Sequence, residues 1–306
     1  MSDKFVAMLP LAAAIALAAC THASDPAPLA PEENRSRWAA TCEDWDEWDK
    51  PAPPYRIHGQ TYYVGTCGIS AILIVGRDGL VLIDSGTMKG SEAVEASIVG
   101  LGFSMRDVKA LLVSHEHYDH IGGMARLQRV SEAPVYAGVD AAPVVRTGKD
   151  DPRDPQHGLH DPMEPVTGSI RAMKDGEIVE IAGVSITAVA TPGHTLGAMS
   201  WAWRSCEGRE CLTLVYGDSL TPVSADAYRF SDHPDYVSMF RRGIARLAGL
   251  DCDLLITPHP SASDMRTRLA EQAPWVDPNA CRAYAAKVGK RLDDRLAEEA
   301  KGGNAR

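Results

Sequence analysis

Nothing in the 306 residues repeats at a fixed period, which excludes a solenoid or propeller. No basic stripe interrupts a net charge of -10, so the chain lacks the electrostatic footprint of a nucleic-acid binder, and the charge implies solubility. The Ala-rich stretch from Phe5 to Ala19 is too short for a permanent bilayer-spanning helix. It has the length of an export-signal core, with Lys4 beside Asp3 as a weakly charged start. The composition, 45% hydrophobic and 24% charged, is enough to fill the core of one α/β domain once the ends are set aside.

Leu17-Ala18-Ala19-Cys20 matches a bacterial lipobox, which makes Cys20 the lipidated first residue of the mature chain; cleavage near Ala23, releasing a soluble protein, is the alternative. Thr21 follows the cysteine, with no Asp to signal retention, so the expected location is the periplasm with an outer-membrane anchor. The expected division is a signal peptide over 1–20, a tether over 21–37, a folded domain over 38–290, and a helical or disordered tail over 291–306. Setting Cys20 aside leaves Cys42, Cys67, Cys206, Cys211, Cys252 and Cys281, an even set suited to an oxidising compartment. Cys206 and Cys211 flank Glu207-Gly208-Arg209-Glu210 between two strand-like runs, where a bridge would staple a hairpin tip. Free thiols or a second metal site are the alternative, although no pair has zinc-ribbon spacing.

The chemistry is concentrated in Ser114-His115-Glu116-His117-Tyr118-Asp119-His120. Neutral imidazoles with a carboxylate are the donor set that borderline divalent ions such as zinc prefer, and packing requires no such density. The run follows the apolar stretch Val108 to Val113, read as a buried strand, and precedes Ile121-Gly122-Gly123, where the backbone can turn. Alternate histidines in an extended segment point the same way, so His115 and His117 can grip one ion while Asp119 and His120 serve a second position. His194 follows Val184 to Ala190, and His259 follows Leu254-Leu255-Ile256, each in a Pro-containing turn after a strand-like run. His22, His58, His157, His160 and His233 lack that context and read as surface or loop residues.

Ala71 to Val75 and Leu80 to Ile83 read as strands joined at Gly76-Arg77-Asp78-Gly79, and Pro134 to Ala137 as another. Ser91 to Leu101 and Tyr236 to Leu250 have helical apolar spacing. Asp84 ends a strand, where salt-bridging to the core is one reading. The segment from Thr147 to Pro165 has no periodicity and reads as a surface loop.

The order His-x-His-x-Asp-His, Pro-Gly-His-Thr, Gly-Asp-Ser-Leu and Thr-Pro-His-Pro resembles the metallo-β-lactamase superfamily, and within it subclass B3 of the zinc β-lactamases, from about Trp38 to Cys281. The resemblance implies an α/β four-layer αβ/βα sandwich. It implies two zinc ions, one on His115, His117 and His194 and the other on Asp119, His120 and His259. It gives Ser219 and Thr221 the substrate carboxylate, makes Asp84 a support of the metal loop and the Thr147 to Pro165 segment a mobile rim within which Gln156 is a substrate contact, and pairs Cys42 with Cys67 and Cys252 with Cys281. Tyr216 to Leu220 holds no Cys, as expected of the subclass with a serine there.

What the resemblance implies chemically is hydrolysis of penicillins, cephalosporins and carbapenems, and hence antibiotic resistance, by a monomer acting on a small molecule. Two zinc ions with open positions would bring the pKa of a shared water near neutrality, with Asp119 as the catalytic carboxylate that orients it. No Ser-x-x-Lys, Ser-Asp-Asn or Lys-Thr-Gly string is present, so the parts of a serine β-lactamase are absent. Asp218 sustains an alternative, an exported binuclear lactonase or phosphoesterase in which it bridges the metals. A non-enzymatic zinc-binding lipoprotein would more naturally close its coordination sites. A serine esterase would carry its Gly-Asp-Ser-Leu string at the start of the domain rather than after two-thirds of the chain.

Overall fold

A computed structural model describes residues 31–302. The export segment, the lipobox, Cys20 and His22 lie outside these residues. No helix among the described residues is long and apolar enough to cross a membrane.

The first sheet runs in the order β1 (Tyr55–His58), β2 (Thr61–Tyr63), β3 (Ile72–Gly76), β4 (Gly79–Ile83), β5 (Val108–Leu112), β6 (Val135–Gly138) and β7 (Ile170–Met173). It is antiparallel from β1 to β4 and parallel from β4 onward. The second sheet contains β8 (Ile178–Ile181), β9 (Val184–Ala190), β10 (Met199–Glu207), β11 (Glu210–Tyr216) and β12 (Leu254–Ile256) in reverse spatial order, with only the β11–β12 pair parallel.

Side-chain alternation assigns each strand residue to a layer. Ile72, Ile74, Val81, Ile83, Ala110 and Leu112 point into a core shared with Ile186, Ala188, Trp201, Trp203, Leu214 and Ile256 of the facing sheet. Leu73, Leu80, Leu82 and Leu111 point the other way. There they meet α2 (Gly90–Gly100), α4 (Met124–Ser131) and α5 (Ala141–Thr147) through Val94, Ile98, Met124, Leu127 and Val145. Strands buried on both faces read as continuous apolar runs, which is why they are visible in the sequence. Behind the second sheet, α6 (Pro234–Ala248) and α8 (Ala280–Ala300) pack Phe240, Leu247, Tyr284, Val288 and Leu292 on Val215 and Leu255. The result is the four-layer αβ/βα sandwich.

The ends of the domain differ from the sequence reading. A helix begins at Pro31, seven positions before the expected boundary at Trp38, and runs to Thr41. Trp38 is buried edge-on against Tyr55 and Tyr63, and the Arg35 guanidinium donates to the carbonyls of Arg56 and Ile57. At the other end, the boundary drawn at 290 falls inside α8, where Leu292 is fully buried and the Arg295–Glu299 ion pair is enclosed. The high charge of this segment masks the apolar stripe Tyr284, Val288 and Leu292 that its helical spacing creates. His58 is also a correction: it lies buried on β1 rather than in a loop.

The cysteines pair as Cys42–Cys67, Cys206–Cys211 and Cys252–Cys281. Cys206 and Cys211 face each other across the β10–β11 hairpin. The two sheets are tied at the head of the His-rich loop, where Trp201 Nε1 donates to Val113 O (3.0 Å) and Met199 N to Ser114 O (2.7 Å).

Candidate metal centre

Loops at the carboxyl ends of β4, β5, β9, β11 and β12 meet at one edge of the sandwich, where open α/β layers place their sites. Asp84 ends β4 in a left-handed conformation at φ 60°. Its carboxylate accepts from Ser114 N (2.8 Å), Ser114 Oγ (2.6 Å) and Tyr216 OH (2.9 Å), and its Oδ2 lies 3.6 Å from His120 Nδ1. Asp84 therefore holds the start of the His-rich loop and the back of one of its histidines, rather than pairing with a cation of the core.

Each histidine is oriented by a group behind it. His115 Nδ1 lies 2.8 Å from Asp218 Oδ1, His117 Nε2 lies 2.9 Å from Asp154 Oδ2, and His194 Nδ1 lies 2.9 Å from Thr221 O. All three partners are acceptors, so the proton of each imidazole faces backward. The lone pairs of His115 Nε2, His117 Nδ1 and His194 Nε2 then face inward, and His117 Nδ1 and His194 Nε2 stand 3.2 Å apart. Two lone pairs that close repel unless a cation sits between them, and the buried His115 Nε2 has no hydrogen-bond partner among the described residues. This is the arrangement a metal ion satisfies. The ligating atoms of His115, His117 and His194 all fall within 4.8 Å of one another, as do those of His115, Asp119 and His120.

Asp119 Oδ2 lies 3.0 Å from His120 Nε2 and 3.2 Å from His259 Nε2, which brings the remaining three expected ligands to a second point. The His115 and His120 rings are 4.2 Å apart, so the two points adjoin. Burial, reinforced by neighbouring imidazoles, holds His115 well below its ordinary pKa and His194 down to about 3, the neutral form a ligand needs. Burial acts the same way on His120, but the carboxylates of Asp119 and Asp84 outweigh it and hold that imidazole up at about 10. Burial would raise Asp119; His120 and His259 prevail and keep it ionised. At the first point His115 and His194 are thus neutral donors, while Asp154 outweighs burial and holds His117 above its ordinary value; at the second, Asp119 supplies the carboxylate.

Glu116 joins the loops to each other. It is buried, and accepts from Thr195 Oγ1 (2.8 Å) and Gly197 N (3.1 Å), fixing the turn that carries His194 to the loop that carries His115 and His117. Burial pushes its carboxyl up to about 7 against these hydrogen bonds.

Above the two points lies a cleft of about 210 Å³ lined by His117, Asp119, His194 and His259 on its floor, with Gln156, Ser219 and Thr221 beside them. Gln156 Nε2 is 3.4 Å from His194 Nε2. Thr221 Oγ1 is 3.1 Å from His194 Nδ1, and Ser219 Oγ has no hydrogen-bond partner among the described residues. A hydroxyl that no base approaches is not an activated nucleophile, which removes the serine-esterase reading of Gly-Asp-Ser-Leu. Leu220, at φ 43°, turns the chain between Ser219 and Thr221, and Tyr284 OH donates to the carbonyls of Asp218 and Ser219. Asp218 sits behind His115 and belongs to neither cluster of candidate ligands.

Several cleft residues carry no distinctive signal in the sequence. His160, read as a plain loop residue, lines the cleft with its ring 6.5 Å from Trp48 and 6.0 Å from Tyr118. Trp45 and Trp48, exposed and 6.1 and 6.4 Å from His259, wall the same side. Their loop is set by Trp45 N donating to Ser261 Oγ (2.7 Å) and Thr66 Oγ1 donating to Trp48 O (2.6 Å). Only the adjacency of two tryptophans to Cys42 hints at it. Asp154, a lone carboxylate in the aperiodic Thr147 to Pro165 segment, pins that loop to His117 as the cleft's rim.

The sequence profile of the Metallo-beta-lactamase superfamily matches residues 64–207. The fold is similar to that of the MIM-2 metallo-β-lactamase, at 54% identity over 87% of this chain and 98% of that one, with a TM-score of 0.82. It is also similar to MEM-A1, a subclass B3 metallo-β-lactamase isolated from a soil metagenome library, at 42% identity over 84% of this chain and 100% of that one, with a TM-score of 0.81. Among curated relatives, a hydroxyacylglutathione hydrolase of Dechloromonas aromatica is 28% identical over 59% of this chain, which spans 55% of that protein's length.

Proposed function

Because the chain belongs to the metallo-β-lactamase superfamily, we propose that it is a zinc-dependent hydrolase of the β-lactam ring, acting on penicillins, cephalosporins and carbapenems and conferring resistance to them. The observation that carries this reading is the pair of inward-facing donor sets, His115, His117 and His194 beside Asp119, His120 and His259, opening onto a cleft edged by the unpartnered hydroxyl of Ser219. Near-complete coverage of structures with this activity, at up to 54% identity, supports it.

Two divalent ions held by these sets would supply Lewis acidity and make water nucleophilic at neutral pH. The chain's own groups do the rest. Asp119, kept ionised, accepts a hydrogen bond from the attacking water and aims its oxygen at the lactam carbonyl. Ser219 and Thr221 donate to the substrate carboxylate, and Gln156, which lines the same cleft, is a further substrate contact. Trp45, Trp48 and His160 offer an apolar wall to the acyl substituent. All six proposed ligands come from one chain, so a monomer suffices.

The test is hydrolysis of a carbapenem, a lactone and a thioester by purified protein, with metal content measured before and after chelation. Ring opening of the carbapenem, its loss on chelation, recovery with zinc, and about two zinc per chain are expected. Turnover of the lactone or thioester with none of the carbapenem would overturn the reading in favour of a bridging Asp218.

A further inference from the structure

One cation of the cleft has no hydrogen-bond or ion-pair partner among the described residues. Arg291 lies on α8, where the neighbouring basic residues are engaged: Lys287 with Asp264 (3.4 Å), Lys290 with Asp294 (2.6 Å) and Arg295 with Glu299 (2.7 Å). Arg291 is exposed and enters no hydrogen bond or ion pair among the described residues. It nevertheless lines the cleft beside Ser219, Thr221 and Val223, and no other Lys or Arg among the described residues does. The helix fixes its direction. Tyr284 and Arg291, seven positions apart, share one stripe of α8, and Tyr284 OH donates to the carbonyls of Asp218 and Ser219. The guanidinium therefore stands on the side of the cleft that carries the unpartnered Ser219 hydroxyl.

We propose that Arg291 docks the carboxylate that β-lactams carry beside the ring nitrogen, acting with Ser219 and Thr221 as a residue that sets substrate specificity. The inference rests on the β-lactamase reading. A chain of net charge -10 must admit an anionic substrate, and an unpaired guanidinium at the mouth both attracts it and offers a planar pair of donors matched to a carboxylate. Because Arg291 is exposed, its contribution is that of a charged contact at a wet rim and belongs to ground-state binding.

Steady-state kinetics of the zinc-loaded parent, Arg291→Ala and Arg291→Lys on a β-lactam and on its carboxylate ester test this. For the free acid, Arg291→Ala is expected to raise KM about twofold to fivefold with kcat within about twofold, and Arg291→Lys to restore part of the loss. For the ester, parent and Arg291→Ala should share one KM. Added salt should raise the parent's KM for the acid, and that rise should be absent in Arg291→Ala. Equal KM values for the acid in parent and Arg291→Ala at low salt, or an equal loss on acid and ester, would overturn the assignment while leaving the β-lactamase reading intact. A parent that opens no β-lactam overturns both.

Discussion

The carboxylate of Asp218 touches the back of His115, and that contact separates two chemistries available to the same short motif. A bridging Asp would need to face the metals, whereas here Oδ1 lies 2.8 Å from Nδ1 of a ligand whose Nε2 faces inward. Its role is to fix the tautomer and angle of that imidazole. Asp218→Ala should therefore weaken metal affinity about 10- to 100-fold while leaving the stoichiometry at saturating zinc unchanged. Titration against a competing chelator, followed by metal analysis at saturation, checks both halves. A drop in saturating stoichiometry would make Asp218 a direct ligand.

At the scale of elements, the site depends on how closely α6 approaches the turn that carries His194. Gly243 faces that turn, and a Cβ placed there would stand 2.1 Å from Pro192 O. Gly193 meets the same helix, its Cβ position lying 2.2 Å from the Phe240 ring. Gly243→Ala must push the helix or the turn aside, an overpacking cost of about 1–3 kcal/mol. The expected result is a melting temperature lower by roughly 2–10 °C, with weaker binding of the metal that His194 holds. Calorimetry and zinc titration measure the two effects, and an unchanged melting temperature would show that the turn yields freely. The strands were legible because runs such as Val108 to Val113 and Leu254 to Ile256 are buried on both faces. The helix Pro31–Thr41 was not, because little in its polar sequence beyond Trp38 reveals the core it seals.

Across the whole molecule, α8 connects the carboxyl terminus to the cleft. Its buried residues run from Cys281 through Tyr284, Val288 and Leu292 to Glu299, which accepts from Phe230 N (3.1 Å) and Ser231 N (2.7 Å). A chain ending at Lys290 would lose Leu292, on the order of 2–5 kcal/mol by itself, and would leave the backbone donors at 230 and 231 without their carboxylate. The expected outcome is an insoluble chain or one melting more than about 10 °C lower, read by solubility and thermal denaturation. A truncated protein with the parent's melting temperature would show that the segment is the dispensable tail its charge suggests.

By itself the sequence determined the donor chemistry and its place. His115, His117, Asp119 and His120 follow a buried strand within a few residues, and His194 and His259 follow two others. Local spacing and strand burial are properties a linear chain displays. Tertiary structure alone decided which nitrogen of each histidine faces inward, because that depends on Asp218, Asp154 and Thr221, up to 103 positions away along the chain. It also decided that Trp45, Trp48, His160 and Arg291 share one cleft. Their individual signals are those of ordinary surface residues, and only the packing of two sheets with α8 brings them within reach of the same small molecule.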